Sequence, residues 1–143
     1  MTDRCIGIVG LGLIGGSLAL ALRRARPRWT LLGVDKDPAT RAQALAAAAV
    51  HEATELAEAS LSRCDAVVLA VPAPALVELI PVLAGRMREG AVLTDVGGSK
   101  AEPCRVGALQ SRVVFVGGHP MAGTEFRGFG AADPALFSGA TVA

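Results

Sequence analysis

Apolar residues fall along the chain in short blocks, separated by glycine, proline and charged residues. Residues 6–9, 31–34, 66–71, 91–94 and 113–116 are almost uniformly apolar and end at Gly, Pro or Asp. Such runs predict strands of a parallel sheet covered on both faces, because a half-exposed strand would alternate apolar and polar positions. Between them lie segments with helical spacing. Residues 13–24 place Ile14, Leu18 and Leu22 four apart and end on Arg23 and Arg24, which complement a helix C-terminus. Residues 38–49 are Ala-rich and opened by Pro38, whose missing N–H costs nothing in a first turn. Residues 53–62 are weakly helical, 75–87 are helical with Pro81 able to kink them, and 101–110 form a short helix. Strand and helix alternate, which predicts a doubly wound α/β domain with a mostly parallel sheet. No repeat, linker or low-complexity tract interrupts it. From Gly117 onward the periodicity fades, and 141–143 resembles the start of another strand, so the ending reads as cut.

Composition adds three constraints. The chain has 143 residues, the size of one domain, and 52% are hydrophobic but only 3% aromatic, with no Tyr. Small aliphatic side chains must therefore build the core. The formal net charge of +1 gives no electrostatic case for nucleic acid or an anionic membrane as partner. Cys5, Cys64 and Cys104 are odd in number, widely spaced and without a CxxC pair, which predicts reduced thiols in a cytoplasmic protein and no metal site. Residues 5–22 carry no charge and reach the lower limit for a membrane span. Five of them are glycine, and Asp3 beside Arg4 is the wrong flank for a signal peptide. A soluble chain is expected.

Gly10-Leu11-Gly12-Leu13-Ile14-Gly15 forms a GxGxxG between the first strand and the first helix, and Asp35 closes the next strand 20 residues after Gly15. That context predicts the Rossmann dinucleotide-binding fold. Gly10 permits a tight turn, Gly12 lets backbone approach a pyrophosphate, and Gly15 lets the helix lie close on the sheet. The pyrophosphate would meet free N–H groups, including those of Leu13 and Ile14, at the positive end of the helix dipole. Asp35 favours NAD over NADP, since a carboxylate accepts from ribose hydroxyls and repels a 2′-phosphate. Lys36 beside it softens that repulsion. Val71-Pro72 ends a strand on the ligand-bearing edge and should line the cofactor site.

Two further segments follow strands and so lie on that edge. One is Asp95-Val96-Gly97-Gly98-Ser99-Lys100; the other is Gly117-Gly118-His119-Pro120-Met121-Ala122-Gly123-Thr124-Glu125. A histidine locked between Gly118 and Pro120 is suited to taking a hydroxyl proton as hydride leaves the same carbon.

Together these segments resemble the prephenate dehydrogenase family. The matching pieces are Gly10 to Ser17, Leu69 to Pro72, Asp95 to Lys100, Gly117 to Glu125 and Leu136 to Ala140, so the resemblance covers the whole chain. Its His119 segment is the most specific part. The resemblance implies oxidative decarboxylation of prephenate to 4-hydroxyphenylpyruvate in tyrosine biosynthesis, with tyrosine as product if arogenate is the substrate. It implies that His119 polarises the ring hydroxyl, and that Ser99, Thr124 and Glu125 contact, shape or gate the substrate. Two departures stand out. The family carries a serine where this chain has Gly98; either Ser99 serves from a shifted backbone or the role is unfilled. The family also has a C-terminal helical domain that forms a homodimer and supplies a substrate-binding arginine. Residues 1–143 contain only the dinucleotide-binding domain, so turnover by this chain alone is not expected. Two other readings remain open: a β-hydroxyacid or imino-acid type dehydrogenase domain, and a non-catalytic NAD-sensing module.

Overall fold

The computed structural model describes residues 3–143. Six strands form one sheet: β1 (Cys5–Val9), β2 (Thr30–Val34), β3 (Glu52–Thr54), β4 (Ala66–Leu69), β5 (Val92–Asp95) and β6 (Val114–Val116). Their order is β3-β2-β1-β4-β5-β6, and every pairing is parallel. The helices are α1 (Leu13–Ala25), α2 (Pro38–Ala46), α3 (Ala73–Arg86) and α4 (Ala101–Ala108). The chain steps outward from β1 to β3, then returns to lay β4 on the other side of β1. The connections leaving β1 and β4 therefore diverge, and a crevice opens at the carboxyl ends of these two strands.

Both faces of the sheet are covered, as the uniformly apolar strands require. Ile6, Ile8, Leu31 and Val68 pack in one cluster with Ala19 of α1 and Ala44 of α2. Val9, Val67, Leu69 and Leu93 pack in the other with Leu76, Ile80 and Leu83 of α3. β1, β2 and β4 send alternate side chains to the two cores, while Val114 and Val116 of β6 stay exposed. The uncharged stretch 5–22 divides between β1 and the front of α1. No helix among the described residues is long and apolar enough to cross a membrane.

Three details depart from the sequence reading. Residues 53–62 hold no α-helix: the stretch 52–54 is β3, and two single 3-10 turns follow at Leu56–Glu58 and Leu61–Arg63. β3 is a three-residue edge strand with an exposed Glu52, so it needs no apolar run. Residues 47–49 lie beyond α2, and α3 begins at Ala73 and continues through Pro81. In α1 the fully buried side is Gly15, Gly16, Ser17 and Ala19, while Leu18 and Leu22 are only partly buried. Gly15 lies against the ends of β1 and β4, and Gly16 and Ser17 receive Phe129 and the Asp133 N–H, so leucine has no room at these positions.

His51 ties the entrance of β3 to β2. Its backbone N–H donates to the Leu31 carbonyl at 2.9 Å, and its Nδ1 accepts the Leu31 N–H at 2.9 Å. Desolvation, and then the neighbouring Arg23 guanidinium, hold its pKa below the ordinary 6.5. The folded state thus binds fewer protons than the unfolded state as pH falls through that value. Stability is full above about pH 6.5 and declines below it. Urea unfolding should show a lower midpoint at pH 5.5 than at pH 7.5, and His51→Asn should flatten that difference. A wild-type midpoint that does not move between these pH values would refute the coupling.

Candidate functional site

β1 ends at Val9 and the chain turns at once. Gly10 sits at φ 95°, a left-handed conformation that favours glycine, and a β-carbon there would come 2.2 Å from the Ala70 carbonyl oxygen. A β-carbon on Gly15 would come 1.8 Å from the Gly10 oxygen. Both glycines are therefore demanded by the contact between the start of α1 and the ends of β1 and β4. Gly12 differs: no protein atom lies within 4 Å of where its β-carbon would be. It caps α1 without a side-chain hydrogen bond, and the first turn contains no acidic residue. The open space at Gly12 thus faces backbone N–H groups and an uncompensated helix dipole.

Asp35, just beyond β2, reaches across to this turn. Its Oδ2 accepts the Leu11 N–H at 2.9 Å and its Oδ1 accepts the Asp37 N–H at 2.9 Å. The Arg41 guanidinium donates to its carbonyl at 2.8 Å, so Arg41 braces the backbone while the carboxylate has no ion pair among the described residues. The acid therefore orients the glycine turn and keeps its charge available to a ligand.

Two cavities flank Gly12. The larger, about 560 Å³, is lined by Gly10, Gly12, Asp35, Lys36, Glu55 and Pro72, with apolar walls from Leu56 and Leu79. The smaller, about 390 Å³, is lined by Leu13, Ile14, Val96, Gly97, Thr124 and Arg127. Gly12, Ala70, Val71 and Pro72 belong to both. They form one bent cleft, with the glycine turn and the end of β4 at its waist. Its size and shape suit an elongated ligand with an anionic middle.

The second constellation is built on a carboxylate. Asp95, at the end of β5, is only 1% exposed. Its Oδ2 accepts the Gly97 N–H at 3.0 Å and pairs with the Lys100 ammonium; its Oδ1 accepts the Gly118 N–H at 3.2 Å. Lys100 also donates to the Gly118 carbonyl at 2.7 Å. One buried ion pair thus joins the loop after β5 to the loop after β6. On its other side His119 exchanges backbone hydrogen bonds with Ala143, at 2.8 and 2.9 Å, and the Met121 N–H donates to Thr141 at 2.7 Å. Residues 141–143 do act as a strand-like segment, bridging antiparallel to the histidine loop. His119 is half-buried, and its Nε2 faces Gly98: a β-carbon there would lie 3.6 Å from it.

The structure brings Gly10, Gly12, Asp35, Val71 and Pro72 to the first cavity, and Leu13, Ile14 and Thr124 to the second. Gly15 lies behind the turn as packing. His119 and Ser99 stand beyond the second cavity, on the far side of Gly97 and Gly98. Ser99 is exposed, and no hydrogen bond joins it to His119 among the described residues. Glu125 is exposed and lines neither cavity. Sequence reasoning passed over the Asp95–Lys100 clamp. Its signal was an acid closing an apolar strand just before paired glycines, the same signal that drew attention to Asp35. It also passed over Glu55 and Arg127, which stand in segments without periodicity.

The family described as "Prephenate dehydrogenase, nucleotide-binding domain" matches residues 18–143. A prephenate dehydrogenase from Lactococcus lactis subsp. cremoris is 35% identical over 137 residues, covering 93% of this chain and 38% of that protein. The crystal structure of Aquifex aeolicus prephenate dehydrogenase in complex with hydroxyphenyl propionate and NAD+ superposes with a TM-score of 0.91 at 31% identity, covering 99% of this chain and 50% of that one. Synechocystis arogenate dehydrogenase gives a TM-score of 0.80 at 37% identity, covering 96% and 48%. The chain thus spans half or less of the length of these relatives.

The Asp95 clamp should be costly to break. Asp95→Asn removes a buried charge and leaves the Lys100 ammonium without its partner. Stability should fall by about 3 kcal/mol, the low end for breaking a buried ion pair, because Lys100 keeps 28% of its side chain exposed. Urea unfolding measures the loss. Amide exchange at Gly97 and Gly118 should quicken while that of β1 stays slow; unchanged exchange at both glycines would show that the pair does not hold the loops.

Proposed function

The chain belongs to the prephenate dehydrogenase family, whose nucleotide-binding domain it matches, and from this premise we propose that it holds NAD for the oxidative decarboxylation of prephenate. The observation that carries the reading is the cleft at the open turn of Gly12, with His119, held through its backbone by Ala143, in the loop after β6 on the same edge of the sheet. The residues present fit a dinucleotide. Asp35 and Pro72 would flank the adenosine half in the larger cavity, and the first-turn N–H groups at Leu13 and Ile14 would meet the pyrophosphate. Val71, Val96 and Gly97 would border the nicotinamide half. NAD supplies the hydride acceptor.

The chain's own part in the chemistry is positional and acid–base. His119 would take the proton of the substrate's ring hydroxyl through Nε2, the nitrogen that faces Gly98, as the carbon bearing that hydroxyl is oxidised. Loss of carbon dioxide then aromatises the ring to 4-hydroxyphenylpyruvate and makes the conversion effectively irreversible. Gly98 leaves room beside the imidazole, and Ser99, Thr124 and Glu125 would complete the substrate side. A helical domain, which we expect to pair two copies, would close the site and bind the substrate carboxylate. The three unbridged thiols accord with a cytoplasmic setting.

Two measurements test the reading. By calorimetry the chain should bind NAD more tightly than NADP. Asp35→Ser should narrow the gap and also weaken NAD, since Leu11 loses its acceptor. Gly12→Val should abolish NAD binding while circular dichroism stays native, because its side chain points into open space. Tighter binding of NADP by the unmodified chain, or full NAD affinity in folded Gly12→Val, would overturn the assignment.

The second measurement concerns His119 and uses a form carrying the helical domain. His119→Asn should lower kcat by roughly 10²–10⁴, the usual worth of a positioned acid–base group, with NAD affinity unchanged. A near-normal kcat in that variant would remove the histidine from the chemistry.

A further inference from the structure

We infer that Arg127 belongs to the cofactor site, its guanidinium binding the pyrophosphate of the dinucleotide in the cavity it shares with the glycine turn. The inference rests on the NAD reading above and adds a residue that neither the glycine fingerprint nor the histidine loop includes.

Two segments meet at the smaller cavity, Gly12 to Ile14 of the glycine turn and Gly123 to Gly128 of the loop after β6, with the ends of β4 and β5 completing its lining. Arg127 is the single ionisable residue in that lining. Arg24 and Arg127 are also the two arginines without a hydrogen bond or ion pair among the described residues, and Arg24 lies far off at the end of α1. Arg127 therefore brings an uncompensated charge to the cavity.

Its position is fixed through α1 itself. Two residues on, Phe129 is buried against Gly16, where a β-carbon would come 2.6 Å from its ring. The Asp133 N–H donates to the buried Ser17 hydroxyl at 2.9 Å. The second turn of α1 thus anchors the segment that carries Arg127, while the first turn faces the ligand. This gives Gly16 and Ser17 a role outside the fingerprint: they set the register between the guanidinium and the turn.

The electrostatics favour such a group. The glycine turn offers only N–H dipoles to a doubly charged pyrophosphate. The adjoining cavity contributes Asp35 and Glu55 against Lys36 alone, so without Arg127 the cleft would present a dianion with more negative than positive charge. A guanidinium also suits the task geometrically, since its fork binds two phosphate oxygens at once. The substrate carboxylate is the other anion at hand. The cavity lining includes the glycine turn and, of the residues assigned to substrate, Thr124 alone, without His119, Ser99 or Glu125, which favours the cofactor as the partner of Arg127.

The test is calorimetry on this chain with NAD, ADP and adenosine, using Arg127→Met and Arg127→Lys, with circular dichroism to confirm folding. Arg127→Met should weaken NAD and ADP by about ten- to a hundredfold, the range for hydrogen bonds to a charged group, and leave adenosine unchanged. Arg127→Lys should fall between, and added salt should narrow the difference. NAD affinity equal to wild type in Arg127→Met would overturn the inference and leave the NAD reading intact. Failure of the unmodified chain to bind NAD would overturn the reading and the inference together.

Discussion

A β-carbon on Gly15 would stand 1.8 Å from the carbonyl oxygen of Gly10, and the ligand-bearing edge depends on its absence. Because that atom is missing, α1 starts directly over the ends of β1 and β4. The first turn of the helix then points its N–H groups into the crevice where the strand order reverses. A helix held farther out by a methyl group would still cover the sheet, but its dipole would meet no pocket. One turn on, Gly16 and Ser17 are buried by a different neighbour, the segment of Phe129 and Asp133, so α1 buries small residues where an ordinary amphipathic helix would bury leucine.

Two carboxylates extend this geometry sideways by the same device. Each stands at the end of a strand and accepts a backbone N–H from the loop of the neighbouring strand. Asp35, beyond β2, takes the Leu11 N–H of the turn after β1. Asp95, ending β5, takes the Gly118 N–H of the loop after β6. They differ in what balances the charge. Asp95 is buried and paired with Lys100, so its role is finished within the protein. Asp35 has no such partner and lines the larger cavity, so its charge remains for recognition. A carboxylate at a strand end can thus be structural or ligand-facing, and burial beside a cation decides which.

The helix α1 serves as a common reference for both halves of the cleft. Its first turn lines the cleft, and the residues that follow receive Phe129 and the Asp133 N–H. The irregular segment after β6 is thereby indexed to the glycine turn without any regular structure of its own. The backbone pairing of His119 with Ala143 holds the same segment from the other side. A loop fixed at two points by buried contacts can present a polar group accurately although most of it is exposed.

The sequence by itself determined the architecture, because β1, β2 and β4 lie between two cores and must be apolar on both faces. It also determined the nucleotide turn, because Gly10, Gly12, Gly15 and Asp35 act at fixed local offsets around one strand end. The His119 segment was legible for the same reason: its meaning lies in residues that are neighbours in the chain. What only the tertiary structure decided concerns groups that meet across the sheet or at its rim. β3 was hidden because a three-residue edge strand is held by backbone hydrogen bonds to β2 and leaves no apolar signature. The clamp of Asp95 with Lys100 and Gly118 needs two loops to be side by side, which follows from β5 and β6 pairing. The approach of Gly98 to the His119 imidazole, and the sharing of one cavity by Arg127 and the glycine turn, depend on how segments without periodicity pack. Local spacing encodes the elements and the turn, while contacts between residues twenty or a hundred positions apart are set by packing, which no window of the sequence displays.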